Sequence, residues 1–246
     1  MRLLLLNPNT TTALTERLAA SVRHVLPPGA RIEAITAPRG FPYISSRAEA
    51  QIAGGLVLEM MAERVGTFDA AVIAAFGDPG LHAARELFDL PVSAMAEGAM
   101  LAALPLGRRF AFVTFARRLL PWYEEQVSLA GLENRFAGTF VPDAALGDIA
   151  RVAEDLREVL AETCQRAAQH ADVLILAGAP IAGLAGEIAD EIPAILIDPV
   201  QAAALQAILQ AQLSPRGAHV GSFARPPAKD STGLSHALGE WIAGGR

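Results

Sequence analysis

Cysteine is nearly absent from this chain, since Cys164 is the single thiol among its 246 residues. One cysteine excludes an internal disulfide and any cysteine-based metal cluster. The sequence also contains no HExxH, GxGxxG, P-loop, GxSxG or CxxC pattern, and its five histidines show no metal-ligand spacing. We therefore expect neither a bound metal nor a dissociable cofactor.

Long apolar runs and basic clusters are also missing. The uncharged tract from Val173 to Gly186 is shorter than a bilayer span and contains Pro180. The apolar run after Met1 is too short for a secretory signal. The formal net charge is −6 and no Lys/Arg run occurs, which argues against a nucleic-acid or anionic-membrane partner. We expect a soluble, cytoplasmic protein.

What the sequence does contain is an internal repeat. The stretches Asp69–Leu81 (DAAVIAAFGDPGL) and Asp172–Leu184 (DVLILAGAPIAGL) have the same plan. Each runs from an acidic residue through an apolar segment and a small-residue elbow into a helix that opens near a proline. Arg2–Asn7 and Arg109–Thr114 form a further matching pair. The repeat predicts two related halves, with a ligand site between them lined by corresponding residues of each half.

Short apolar runs alternate with segments of helical period, a pattern typical of parallel sheets covered by helices on both faces. The predicted strands are Leu3–Leu6, Arg31–Ile35, Ala71–Ala75, Val92–Met95, Phe110–Thr114, Gly138–Val141, Val173–Ala177 and Ala194–Ile197. The predicted helices cover about residues 11–25, 45–65, 80–88, 98–104, 117–130, 146–170, 182–190, 199–212 and 232–243.

These elements predict an α/β fold of two similar flavodoxin-like lobes. Each lobe is a four-stranded parallel sheet flanked by helices, and the active site lies in the cleft between the lobes. The first lobe is expected to comprise residues 1–98 and 200–246, and the second residues 99–199. The C-terminal helices are assigned to the first lobe because the last segment has no strand of its own.

Ligands of open parallel sheets bind beyond the carboxyl ends of the strands. Asn7 and Thr114 end two corresponding strands, so both are predicted ligand contacts. The elbows Ala75–Gly77 and Gly178–Ala179 place free backbone N–H groups at helix starts, where an anionic oxygen is stabilised. This arrangement favours a site for a small anionic or amide-bearing molecule.

Four titratable residues near these strand ends are candidates for proton transfer, namely Asp78, His82, Glu97 and Asp198. Each also has a structural interpretation. Asp78 and Asp198 precede prolines and fit the N-cap position of a helix. Glu97 fits the first turn of a helix, where its charge is favourable, and His82 fits a helix surface.

Three further residues are interpreted as structural. Asn9 and Thr10 follow the first strand and are predicted to cap the helix after them. Cys164 lies near the carboxyl end of a long predicted helix, which places it away from the proposed cleft. We interpret Cys164 as a packing residue and not as a nucleophile.

Several of these motifs resemble one known family. The segments Asn7–Thr11 (NPNTT), Phe76–Leu81 (FGDPGL), Val113–Thr114 and Ala182–Ala185 (AGLA) are similar to those of the aspartate/glutamate/hydantoin racemase superfamily, and most of all to its hydantoin and allantoin racemase branch. The resemblance spans roughly residues 2 to 203. It implies two similar α/β halves, a site between them and catalysis without a cofactor.

The resemblance also implies two catalytic cysteines, one in each half, on opposite faces of the substrate stereocentre. In this chain those positions are occupied by Ala75 and Gly178, neither of which transfers a proton. The substrate-binding residues that the resemblance implies are Asn7, Ala75, Phe76, Thr114, Phe115, Gly178 and Ala179. Two-thiol racemisation is therefore not expected.

Three functions remain open on the sequence. The first is an isomerase that acts on a small amino acid or hydantoin-like substrate by α-proton transfer, with Asp78, His82 or Glu97 in place of the thiols. The second is a lyase or decarboxylase that acts on a small carboxylic acid in the same fold. The third is a non-catalytic small-molecule binder. A homo-oligomer is expected in each case.

Overall fold

The computed structural model describes residues 1–64, 66–143 and 151–244. Within these ranges the strands are β1 (Arg2–Asn7), β2 (Arg31–Thr36), β3 (Ala70–Ile73), β4 (Val92–Ala94), β5 (Phe110–Val113), β6 (Phe136–Phe140), β7 (Val173–Leu176) and β8 (Ile195–Ile197). The α-helices are α1 (Thr12–Arg23), α2 (Arg47–Arg64), α3 (Leu81–Leu87), α4 (Met95–Ala103), α5 (Leu120–Leu129), α6 (Val152–Asp155), α7 (Arg157–Ala167), α8 (Leu184–Ile188), α9 (Pro199–Leu213) and α10 (His236–Ile242).

The strands form two parallel sheets of the same topology. Their orders are β2-β1-β3-β4 and β6-β5-β7-β8, so β1 corresponds to β5 and β3 to β7. Leu3 pairs with Ala70 in the first sheet, and Phe110 pairs with Val173 in the second. The predicted fold of two four-stranded parallel sheets flanked by helices is confirmed.

The apolar strands are buried on both faces, as parallel sheets require. Leu3 and Leu5 belong to a central core that also contains Phe110 and Phe112 of the second sheet. Leu4 and Leu6 point the other way into a separate core of the first half. Because side chains alternate along a strand, Asn7 continues the inward-facing row of β1. Thr114 likewise follows the inward-facing row of β5.

Two helices differ in detail from the prediction. Helix α4 begins at Met95, earlier than the predicted start at residue 98. The Asp78 carboxylate, 18 positions before Ala96, accepts hydrogen bonds from the N–H groups of Ala96 and Glu97 in the first turn of α4. No local pattern reveals this contact. The predicted helix 146–170 falls partly outside the described residues, and its described part is α6 and α7 with a break at Leu156.

The C-terminal helices pack on the first half. Helix α9 contacts α1, α4, β3 and β4, and α10 contacts α2. This packing supports our proposed division into residues 1–98 with 200–246 and residues 99–199. Helix α4 crosses that boundary and also contacts β7 and β8 of the second sheet. Among the helices in the described ranges, none is long and apolar enough to cross a membrane.

Candidate functional site

The first elbow, between β3 and α3, depends on two glycines. Gly77 has a φ of +100°, and a Cβ placed on it would lie 2.3 Å from Cζ2 of Trp122 in α5. Gly80 has a φ of +81°, and its Cβ would lie 2.9 Å from the backbone oxygen of Gly54 in α2. The elbow therefore lies directly against helices of both halves, and a side chain at either glycine would separate them.

Asp78 lies in this elbow with a positive φ of 54° and is almost fully buried. Its two carboxyl oxygens accept hydrogen bonds from the backbone N–H of Ala96 at 2.7 Å and of Glu97 at 2.8 Å. The pKa of Asp78 is raised to about 7, chiefly by burial; the two N–H groups and Arg85 lower it, and the Glu97 charge raises it. Asp78 is therefore protonated far more readily near neutral pH than an exposed aspartate.

Glu97 is held in an ion pair with Arg85. The two terminal nitrogens of the guanidinium donate to the two carboxylate oxygens at 2.8 and 2.6 Å, and Arg85 Nε donates to the backbone oxygen of Val92 at 2.9 Å. Such a two-point contact fixes both side chains. The pair therefore fixes the first turn of α4, which also supplies the N–H donors to Asp78.

A cavity of about 480 Å³, here called cavity 1, opens beside the elbow where α2 and α4 of the first half meet α5 of the second. Asp78, His82 and Glu97 all line it. Arg47, Trp122, Glu125 and Leu129 also line it. Arg47 Nε donates to the carboxylate oxygens of Glu125 at 3.1 and 3.0 Å, which links the two halves across this cavity.

The second elbow is covered by an aromatic ring. Gly178 has a φ of +142°, and a Cβ placed on it would lie 2.7 Å from Cε1 of Phe115. The Phe115 ring in turn lies 6.1 Å from the ring of Tyr43. Phe76 of the first elbow packs edge-on against Phe112 at 5.2 Å and Tyr123 at 4.7 Å. Each elbow is therefore packed against aromatic rings.

The family follows from comparison with known proteins. A family model described as Asp/Glu/hydantoin racemase matches residues 3–207. The chain belongs to the Asp/Glu/hydantoin racemase family. The family resemblance predicted from the NPNTT and FGDPGL segments is thereby confirmed.

Individual relatives agree with this assignment. A hydantoin racemase from Paenarthrobacter aurescens is 33% identical over 233 residues, which cover 93% of this chain and 99% of that protein. The structure of an allantoin racemase from Klebsiella pneumoniae is 32% identical with a TM-score of 0.89, covering 97% of this chain and 98% of that one. An arylmalonate decarboxylase structure, 15% identical with a TM-score of 0.61 over 86% of this chain and 92% of that one, is similar in fold alone.

The residues predicted from sequence separate into two groups in this racemase-family chain. The three predicted catalytic residues lie together in cavity 1. None of the predicted substrate-binding residues lines cavity 1 or the second cavity described below, and all of them are buried; they are Asn7, Ala75, Phe76, Thr114, Phe115, Gly178 and Ala179.

The corresponding residues Asn7 and Thr114 differ in their hydrogen bonding. Asn7 Nδ2 donates to Asn9 Oδ1 at 3.0 Å and to Thr15 Oγ1 at 2.9 Å, and Asn7 Oδ1 accepts from the Asn9 N–H at 3.2 Å. Its polar groups are thus used within its own loop and helix. Thr114 Oγ1 is buried and has no hydrogen-bond partner among the described residues. Of the two, Thr114 has the capacity left to bind a ligand.

Two of the predicted helix caps are wrong in position. The N-cap of α1 is Thr11, with no side-chain cap bond, so neither Asn9 nor Thr10 caps it. Asn9 Oδ1 instead accepts from the Thr11 N–H at 2.9 Å, which orders the loop before the helix. The N-cap of α3 is Gly80, so Asp78 does not cap that helix and serves the first turn of α4 instead.

The other structural interpretations are confirmed. Asp198 is the N-cap of α9 and accepts from the Val200 N–H at 3.1 Å, from Ser21 Oγ at 2.7 Å and from the Gly183 N–H at 2.6 Å. Burial raises its pKa. Glu97 lies in the first turn of α4. Cys164 is fully buried in the outer core of the second half, and burial raises the pKa of its thiol to about 12.

Sequence reasoning missed Tyr43. Tyr43 lies in the loop after β2, which is attached to the β1–α1 loop by hydrogen bonds from Thr10 N–H to the Phe41 oxygen at 2.9 Å and from Thr11 Oγ1 to the Pro42 oxygen at 2.8 Å. Its hydroxyl is buried without a partner among the described residues, and burial raises its pKa. Because this loop reaches the second half only through tertiary packing, no local pattern indicates that Tyr43 lies against Phe115.

Proposed function

We propose that this racemase-family protein is a cofactor-independent isomerase that acts on a small amino acid or hydantoin-like substrate by α-proton transfer. In this proposal non-cysteine groups carry the proton, because Ala75 and Gly178 stand at the positions that we align with the family's cysteines. The main support is cavity 1, which joins Asp78, His82 and Glu97 at the junction of the two halves. Its volume of about 480 Å³ suits a molecule of this size.

Asp78 is the proposed proton-transfer group. A general acid or base works best when its pKa lies near the working pH, and burial brings the pKa of Asp78 to about 7. His82 is exposed in the same cavity and is the proposed second group. Glu97 is paired with Arg85, so we assign it the role of holding the N–H donors of α4 against Asp78.

Isotope exchange in D₂O tests this proposal directly. NMR would follow the loss of the α-proton signal from five-membered hydantoins and from free amino acids. We expect Asp78→Asn to lower the exchange rate by about 10²–10⁴-fold, the usual contribution of one positioned proton-transfer group. Asp198→Asn is the matched control, because Asp198 is also buried and also binds a helix N-terminus but lines neither cavity.

Equal losses in the Asp78 and Asp198 variants would contradict the proposal, since both would then act through folding alone. His82→Gln should also lower exchange, whereas His24→Gln, at the end of α1 and outside cavity 1, should not. Release of CO₂ from aryl- or alkylmalonates without exchange would instead identify the lyase alternative.

A non-catalytic binding protein is the second candidate. It is supported by the burial of the two positions that we align with the family's cysteines, since Phe115 covers Gly178 and Ala75 is only 6% exposed. A ligand-dependent rise in melting temperature without exchange or CO₂ release for any substrate of these classes would favour it.

Restoring the thiols tests the alignment of the elbows. Ala75→Cys with Gly178→Cys should create thiol-dependent exchange, but only when Phe115→Ala removes the ring that lies 2.7 Å from the new Cβ. The control keeps Phe115→Ala and carries only one of the two cysteines. If the triple variant binds hydantoins without exchanging their protons, the alignment of Ala75 and Gly178 with the family's cysteines is wrong.

We also propose that the protein is cytoplasmic and forms a homo-oligomer. Two exposed leucines follow one another at helical spacing on α9, at Leu205 and Leu209. Exposed apolar stripes of this kind are typical of protein interfaces. Light scattering coupled to size exclusion would give the mass, and a monomer at micromolar concentration would contradict this part of the proposal.

A further inference from the structure

A second cavity, here called cavity 2, has a volume of about 500 Å³ and lies on the first half beside β4 and the end of α9. Much of its lining comes from the segment 210–223, which follows the region matched by the family model. Gly217 anchors this segment, because its φ of +67° and its close approach to the Leu90 oxygen leave no room for a side chain. Cavity 2 is therefore formed where a segment outside the family model's match packs on residues inside it.

The wall of cavity 2 is mainly apolar. It is formed by Pro91, Val92, Leu213, Val220 and Phe223. The side chains of Leu213 and Val220 are 76% and 69% exposed, so an occupant would remove aliphatic surface from water.

The polar groups of cavity 2 carry no unbalanced charge. Arg85 is neutralised by its two-point contact with Glu97. His219 Nδ1 lies 3.1 Å from the Gly217 oxygen, which fits the Nδ1–H tautomer because a carbonyl only accepts, and in that neutral tautomer Nε2 is an acceptor. The Gln210 amide forms no hydrogen bond to a described residue. These groups suit an uncharged ligand with an amide edge, whereas a buried carboxylate would find no unpaired cation.

We propose that cavity 2 is a binding site for a small uncharged molecule with an aryl or alkyl body and one amide group. A ligand in cavity 2 would affect cavity 1 through two contacts. Glu97 lines both cavities. The ring of Phe223 in cavity 2 lies 5.8 Å from the ring of His82 in cavity 1.

Nile red, an uncharged dye that fluoresces in apolar sites, is the first probe. We expect Val220→Asp to weaken Nile red binding by about tenfold or more. Leu129→Asp is the matched control, because Leu129 is equally exposed at 69% but lines cavity 1. Loss of binding in the Leu129 variant alone, or equal loss in both, would overturn the assignment to cavity 2.

Phenylacetamide and phenylacetate form a matched pair for the ligand class, since they differ mainly in charge. Phenylacetamide should displace Nile red at a concentration about tenfold lower, because the carboxylate pays for desolvation without a partner. Equal or better displacement by phenylacetate would refute the uncharged class. If neither compound displaces Nile red, the proposal that the ligand carries an amide group is refuted.

The five histidines give an independent location for the amide. On addition of phenylacetamide, the ring-proton NMR signals of His219 and His82 should shift, while those of His24, His170 and His236 should not. A shift of the His82 signal without a shift of the His219 signal would place the ligand in cavity 1 and contradict the proposal. These measurements need no turnover, so they stand or fall separately from the proposed isomerase.

A second copy of the chain is the competing occupant of cavity 2. Light scattering would detect it as a lower oligomeric mass of Val220→Asp, with circular dichroism confirming that the variant is folded. A change of mass together with no binding of phenylacetamide by the unmodified protein would make cavity 2 an interface and overturn the small-molecule proposal.

Discussion

At the scale of single residues, Asp78 combines burial with two backbone hydrogen bonds. The N–H donors at the start of α4 favour the charged carboxylate, but the removal of water outweighs them and raises the pKa to about 7. Asp172 shows the opposite balance. It is exposed, and hydrogen bonds from the Arg109 and Arg108 N–H groups lower its pKa. Asp78 and Asp172 should therefore contribute to the pH dependence of the unfolding free energy with opposite signs.

Replacement of Asp78 should change how stability depends on pH. Its pKa is higher in the folded state, so the folded protein binds the proton more tightly between about pH 4 and 7, and the unfolding free energy falls as pH rises through that range. Asp78→Asn removes this contribution, which is up to about 4 kcal/mol for a shift from 3.8 to about 7. Urea unfolding at several pH values gives the unfolding free energies of variant and parent, and the difference between them should change with pH.

Asp172→Asn provides the contrast in the same experiment. Its folded pKa is lowered, so the parent gains stability from this group above its unfolded pKa and loses it as pH falls. A difference between parent and Asp78→Asn that stays constant from pH 4 to 8 would show that the burial of Asp78 does not perturb its titration.

At the scale of elements, the two elbows have the same place in topologically equivalent sheets but contact different neighbours. The first elbow packs its backbone at Gly77 and Gly80 against Trp122 and against α2. The second elbow packs Gly178 against Phe115, while Gly183 at the start of α8 has open space around it. Gly178 and Gly183 both have positive φ, so a side chain at either is strained, but only the one at Gly178 also meets a steric clash.

Alanine substitutions at these two glycines should differ in their effect on stability. Gly183→Ala adds only the strain of a side chain at positive φ, about 1 kcal/mol. Gly178→Ala adds a clash with Phe115 at 2.7 Å, so a further loss of about 1–3 kcal/mol is expected. Combining Phe115→Ala with Gly178→Ala should make the glycine substitution less costly, as measured in a double-mutant cycle by thermal unfolding. Equal costs for the two single substitutions would mean that Phe115 moves aside freely.

At the scale of the whole molecule, one core joins the two halves. It contains inward-facing residues of both sheets, such as Leu5 and Phe112, together with α4 and α9 residues such as Ala99 and Ala203. A Cβ on Gly98 would lie 2.8 Å from Cα of Ala203, so these two helices touch at backbone distance. Halves that share a core in this way should not unfold independently.

The two tryptophans report on different cores. Trp122 lies on α5 of the second half, whereas Trp241 lies on α10 and packs against Phe88 in the outer core of the first half. We expect Trp241→Phe and Trp122→Phe to leave single fluorophores whose denaturant curves, each compared with circular dichroism of the same variant, coincide in midpoint. A fluorescence midpoint that departs from the circular dichroism midpoint in either variant would show that the halves unfold in separate steps.

The sequence by itself determined the strands, the twofold repeat of the sheets and the family, because each depends on local runs such as Leu3–Leu6 or on motifs read along the chain. It also predicted Asp78, His82 and Glu97 as candidates for proton transfer, but not that they line one cavity with Trp122 and Arg47. Only the tertiary structure decided that grouping. It also decided that Asp78 binds the first turn of α4 and does not cap α3, and that Phe115 covers Gly178. Packing between segments distant in the chain sets which groups lose water and which side chains touch, and no local pattern encodes those contacts.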